Sequence, residues 1–181
     1  MTQDLLERLE QRVWPRGERR DTWMIVDAAR DRRIYPLILS CHLDHACLYT
    51  GAPRTLEMVA PYLLRLDHGY RDTYKFLEQG WGNSWGVILR CDTRLERLRT
   101  HLRRLLTVRD PGGKRLLFRY YDPRVLRLYL PTCLEPELRE MFGPIQYFWC
   151  ESERPDDMLE FQFQGGRLQQ QKLPLATAAK L

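Results

Sequence analysis

The sequence predicts a single-domain mixed α/β sandwich with late antiparallel hairpins and an amphipathic N-terminal helix. Three observations carry that expectation. Apolar runs of strand length alternate with helix-period segments through most of the chain. The last third closes with short alternating runs joined by a glycine turn. Near the start, Leu5, Leu6, Leu9 and Val13 recur at helical spacing. The boundaries that follow are an N-terminal helix and linker over 1–20, one domain over 21–173 and a flexible tail over 174–181.

In chain order, residues 3–13 form the amphipathic helix, which stops before Pro15-Arg16-Gly17. A strand over 23–28 is followed by a helix over 31–40 with Ile34, Leu37 and Ile38 on one face. Residues 47–50 and 62–66 are short strands, separated by a Gly51-Ala52-Pro53 turn and a helical turn over 55–59. A helix over 73–80 precedes a strand over 85–90. Asp92 or Thr93 then caps the helix with the clearest period, turning Leu95, Leu98, Leu102 and Leu105 inward and arginines outward.

Residues 108–110 enter a Pro111-Gly112-Gly113 turn and return along 115–121 as a hairpin. Asp122-Pro123 converts that strand into a helix: aspartate accepts from first-turn amides, and proline suits the first helical position. A second helix starts at Glu135-Pro136, with Glu137 placing negative charge in its first turn, and stops at Gly143-Pro144. Residues 145–150 read as a buried strand. After a polar loop, 158–164 and 167–173 make the final hairpin around Gly165-Gly166, with Leu159, Phe161 and Phe163 alternating with polar residues.

Composition narrows the class. With 181 residues, 44% of them hydrophobic, the chain can build one sizeable core and is no disordered tract. No window approaches the ~18 apolar residues of a membrane helix, and the start is charged instead of signal-like, so the expected place is the cytoplasm. Five cysteines at irregular spacings argue against a disulfide framework. The net charge of +5 comes from 25 arginines and 4 lysines, which suits protein interfaces and buried pairs. Neither nucleic acid nor membrane is an expected partner.

The reactive residues favour a structural reading. Cys41-His42, His45 and Cys47 have a metal-like composition but lack the spacing of paired zinc motifs, so buried thiols with loop histidines are expected, and no metal or cofactor. Cys133 and Cys150 lie in apolar runs, where a thiol pKa rises, the reverse of activation. The glycine-rich Gly80–Gly86 turn precedes a strand and has no lysine, so it is not a phosphate loop. Its glycines make room for Trp81 and Trp85, either in the core or as partner contacts. The helix face bearing Arg94, Arg97, Arg99, Arg103 and Arg104 is a solvated face or a docking surface for an acidic protein. No convergent set of acid, base and nucleophile points to an enzyme.

The blocks DAARDRRIYPLI (27–38), CLYTGAP (47–53), APYLLRLD (60–67), GWGNSWGVILR (80–90) and LFRYYDPRVLRLYLPTCLEPELREMFGPIQYFWCE (117–151) resemble, in order and spacing, the effector-adaptor chaperones of the bacterial type VI secretion system. The resemblance covers roughly Thr22 to Glu151, and its most specific portion is the FRYYDPR, LPT and FGP series. It implies a cytoplasmic adaptor that holds a non-toxic segment of one toxin effector and helps load it onto the secretion spike protein, without enzymatic activity. Members of that family often continue into a helical lobe; here the residues after Glu151 read as a hairpin and tail.

Arg119, Tyr121, Asp122 and Arg124 match the family's most recognisable motif and have two readings. In one, Asp122 caps a helix with Pro123, while Arg119 or Arg124 forks onto Asp27 or Asp67. In the other, they touch the effector or spike. A partner surface is expected where the Gly80–Gly86 turn meets the arginine-faced helix, with Trp81 and Trp85 as aromatic anchors and Arg97 and Arg104 at the rim. The alternative function is an immunity protein that binds and inhibits a cognate toxin.

Overall fold

The computed structural model describes residues 2–15, 21–51, 53–110 and 112–175. Its centre is one antiparallel sheet of seven strands in the spatial order β2-β3-β1-β4-β7-β8-β9. These strands are β1 (Asp21–Asp27), β2 (His45–Cys47), β3 (Pro61–Leu66), β4 (Gly86–Cys91), β7 (Ile145–Glu151), β8 (Asp157–Gln164) and β9 (Arg167–Pro174). Two further strands, β5 (Thr107–Arg109) and β6 (Arg115–Leu117), pair only with each other.

The helices are α1 (Gln3–Val13), α2 (Ile34–Ser40), α3 (Arg54–Glu57), α4 (Arg71–Gly80), α5 (Leu95–Leu105), α6 (Pro123–Tyr129) and α7 (Glu135–Phe142), with a 3-10 turn over Leu130–Thr132. They cover both faces of the sheet, so the central strands are apolar on both sides. The Trp-Met-Ile-Val run of β1 shows why. Trp23 and Ile25 face a core built with Leu98, Leu102 and Leu105 of α5, Leu126 of α6 and Leu138, Met141 and Phe142 of α7. Met24 and Val26 face the opposite core, built with Leu5, Leu9 and Val13 of α1, Ile34 and Ile38 of α2, and Phe76 and Leu77 of α4. A Cβ on Gly86 would lie 1.8 Å from the carbonyl oxygen of Ile25, so only glycine lets β4 pair with β1 at this point.

Most expected elements are present, and the departures have local causes. The helix expected over 31–40 begins at Ile34, because Asp31 Oδ1 accepts from the Arg33 amide at 2.9 Å and holds a turn before it. The short strand expected over 47–50 lies instead at His45–Cys47. Neither Asp92 nor Thr93 caps α5: Arg94 occupies the N-cap position and makes no side-chain cap bond. The expected strand over 115–121 keeps ladder pairing only to Leu117. Beyond it the Phe118 amide donates to Leu106 O, and Tyr120 and Tyr121 turn into the core, the Tyr120 hydroxyl donating to Leu102 O at 2.9 Å.

The N-terminal helix, drawn with its linker ahead of the boundary at 21, packs on the sheet. Three residues of α1 are buried, and Arg90 Nη2 donates to Val13 O at its C-terminal end at 2.5 Å. At the other terminus Pro174 belongs to β9, and buried Leu175 donates its amide to Asp156 O at 2.7 Å, so the tail does not begin at 174. The rest of the expected tail, 176–181, and most of the linker, 16–20, lie outside the described residues. No described helix is long and apolar enough to cross a membrane.

Candidate functional site

The family-like motif folds into an ion-pair network at the junction of β1 and α6. Asp122 is the N-cap of α6, and its Oδ1 accepts from the Arg124 amide at 3.0 Å while Pro123 opens the first turn. The Arg124 guanidinium forks back onto the same carboxylate, at 2.9 Å to Oδ1 and 2.6 Å to Oδ2. Arg119 donates to Asp27 Oδ2 and lies 3.9 Å from Asp122 Oδ2. Asp27 is the partner in this network; Asp67 instead pairs with Arg65 at 3.3 Å.

Both acids are buried, while both guanidinium groups keep an edge at the surface. Burial alone raises the Asp122 pKa, but the Arg124 hydrogen bonds and the charges of Arg124 and Arg119 outweigh it and hold the carboxyl below its usual range. Tyr121 lies buried beside this network, and burial together with Asp27 pushes its phenol well up. The network ties the end of β1 to the start of α6.

The Gly80–Gly86 turn is packed, not presented. Trp81 is 9% exposed and its Nε1 donates to Pro155 O at 2.7 Å. Trp85 is 1% exposed, with the Arg33 guanidinium 5.3 Å from its ring centre. The anchor of the turn is Glu151, which sequence reasoning missed. Its carboxylate accepts from the Gly82 amide at 2.5 Å and from the Ser84 amide and hydroxyl at 3.0 and 2.9 Å. Ser84 thereby holds a left-handed backbone, φ 54°. Burial raises the Glu151 pKa despite these donors. An acid ending the apolar strand IQYFWC was the available signal.

Trp81 and Trp85 belong to the core between the sheet and α1, α2 and α4, whereas α5 covers the opposite face. The surface expected from Trp81, Trp85, Arg97 and Arg104 together is therefore split by the sheet. Arg97 and Arg104 do lie on one side of α5, two turns apart, and both line a hollow of about 620 Å³ that Gly143 and Pro144 also line. Gly143 closes α7 at φ +48°, and a Cβ there would strike the His101 ring at 2.4 Å. His101 Nε2 lies 3.1 Å from Met141 O; a carbonyl only accepts, so this nitrogen carries the proton.

The cysteine-histidine cluster is dispersed into separate structural bonds. Cys41 Sγ lies 3.2 Å from Ile38 O, His42 pairs with Asp72 at 3.4 Å, and His45 Nδ1 meets Leu43 O at 2.9 Å. Among the described residues no group of three metal-ligating side chains comes together. Burial raises the thiol pKa of Cys41 and Cys47, and that of Cys91 to about 12.

On the same side as Arg104, the β5–β6 hairpin, the end of α5 and α7 border a second hollow of about 530 Å³, lined by apolar side chains, two arginines and two glutamates. No curated protein and no solved structure matches the chain. A domain of unknown function, DUF4123, aligns with residues 22–140, a span that runs from β1 into α7 and contains the whole Asp27–Arg119–Asp122–Arg124 network. The chain belongs to the DUF4123 family.

Proposed function

We propose that this protein is a cytoplasmic, non-enzymatic adaptor of a type VI secretion system, which holds a non-toxic segment of one toxin effector and couples it to the secretion spike protein. The observation that carries the reading is the order and spacing of the five sequence blocks between residues 27 and 151, most of which fall inside the DUF4123 span. The use made of titratable groups supports binding over catalysis. Asp27 and Asp122 accept from arginines and backbone amides, and Glu151 accepts from three donors in one turn. Each is taken up in holding elements together, where a general acid or base needs a free position facing substrate.

The test is deletion of the gene in its own bacterium, with toxin and tube protein measured in culture supernatants. Loss of one toxin while tube protein is still released is the expected result. Loss of both, or of neither, overturns the adaptor reading. Inhibition of the toxin's activity by the purified protein replaces it with the immunity alternative.

A further inference from the structure

We infer that the β5–β6 hairpin is a docking arm that accepts an extended acidic segment of a protein partner as a third strand. The inference rests on the adaptor reading only for the source of that segment. The arm stands outside the seven-stranded sheet, and all six of its strand residues are exposed. Apart from its own ladder and turn, its backbone hydrogen bonding among the described residues ends with Phe118 N to Leu106 O. Its outer edges thus present unpaired donors and acceptors, the template that strand addition uses.

The side chains specify the chemistry of the added strand. Val108 lies directly opposite Leu116, and these are 39% and 40% exposed, with Leu117 at 56%. Val108 and Leu116 share one face of the ladder and form an exposed aliphatic pair to be covered, while Leu117 stands on the other face with Arg109 and Arg115. Arg109 lies directly opposite Arg115, an arrangement that is unfavourable unless an acid joins it. Neither arginine has an acidic partner among the described residues; the Arg109 side chain donates only to Gly113 O, at 3.2 Å. A segment that alternates acidic and aliphatic residues answers both features, with acids beside Arg109 and aliphatics beside Val108.

The ground beside the arm fits such a segment. β5 borders the hollow of about 530 Å³, whose lining includes Leu105, Phe118, Tyr129 and Met141. Arg104 and Arg109 also line it, as do Glu137 and Glu140 of α7, and no ion pair joins these two sets among the described residues. Two rival occupants fit less well. A second copy pairing edge to edge would add two further arginines and no acid, since neither strand contains a carboxylate. Single-stranded nucleic acid needs free aromatic faces for stacking, whereas Phe118 and Tyr129 are half-buried and packed edge to face on each other, 4.6 Å between ring centres.

The probe is a labelled peptide of about ten residues alternating glutamate with valine, long enough to run past the arm, titrated by fluorescence anisotropy against the full chain. The control has lysine for every glutamate. The acidic peptide is expected to bind and the lysine peptide not to bind. The double variant Arg109→Glu/Arg115→Glu and, separately, Leu116→Ser are each expected to weaken binding by about tenfold or more with an unchanged thermal midpoint, because these positions lie outside the core. Equal binding of both peptides, undiminished binding by the folded variants, displacement of the peptide by oligothymidine, or self-association through the arm in place of peptide binding overturns the proposal. No secretion step enters, so a failed titration leaves the loading assay to stand or fall on its own.

Discussion

Asp122 concentrates three jobs in one buried carboxylate: it caps α6, forks with Arg124 and shares Arg119 with Asp27. Removing it leaves a first-turn amide without its acceptor and two guanidinium groups facing one acid. Asp122→Ala is therefore expected to lower stability by about 1–3 kcal/mol in denaturant melts. The pH dependence has a definite sign. The folded carboxyl titrates below the ordinary aspartate value of about 3.9, so its stabilisation is full above that value and is lost as pH falls further. Glu151 runs the other way: its raised pKa means that its contribution is lost as pH rises through the folded value. The gap between wild type and Asp122→Ala should be constant near neutrality and shrink below pH ~4. A gap that persists unchanged into acid would assign Asp122's effect to packing in place of charge.

At the scale of elements, the Gly80–Gly86 turn decides between core and interface. Trp81 fills space between the sheet and α4 and donates to Pro155 O, so Trp81→Ala is expected to cost about 3–5 kcal/mol. The folded fraction should bind any partner with wild-type affinity; a stable Trp81→Ala protein with weakened binding would return this residue to an interface. The elements themselves were legible where local chemistry dominates: the leucine period of α5, the Asp122-Pro123 start of α6, the Gly143 stop of α7 and the alternation in β8. Which side of the sheet each helix covers was not, because it depends on how the chain crosses over and leaves no local pattern. That is why Trp81 and Arg97, close in sequence, lie on opposite faces. Tyr120 and Tyr121 likewise looked like the continuation of a strand, but burying both rings pulls the backbone out of the ladder. Of the candidate site, the ion-pair network could be read from the sequence as far as a choice between Asp27 and Asp67 for its acid, which only the fold decides, while Glu151 resembled an ordinary polar strand end.

For the whole molecule, the shared sheet makes two cores into one cooperative unit. Every central strand contributes alternate residues to both: Leu89 and Ile88 of β4 to opposite sides, Phe148 and Trp149 of β7 likewise. The α1 helix is joined to this unit through buried leucines, through Arg90 and through Glu10, whose carboxylate accepts from the Tyr74 hydroxyl at 2.6 Å. Losing either layer of helices would expose one face of every central strand, so neither core can melt while the other persists. Leu9→Ala on one side and Leu102→Ala on the other should each destabilise the protein by about 2–5 kcal/mol. Each should also lower the tryptophan-fluorescence and far-ultraviolet dichroism midpoints together. The fluorescence probe is weighted towards one face, since Trp81, Trp85 and Trp149 lie with α1 and Trp23 lies opposite. If Leu9→Ala moved the fluorescence transition and left the dichroism transition in place, the α1 side would be a separate folding unit, and the boundary near residue 20 would be a real one.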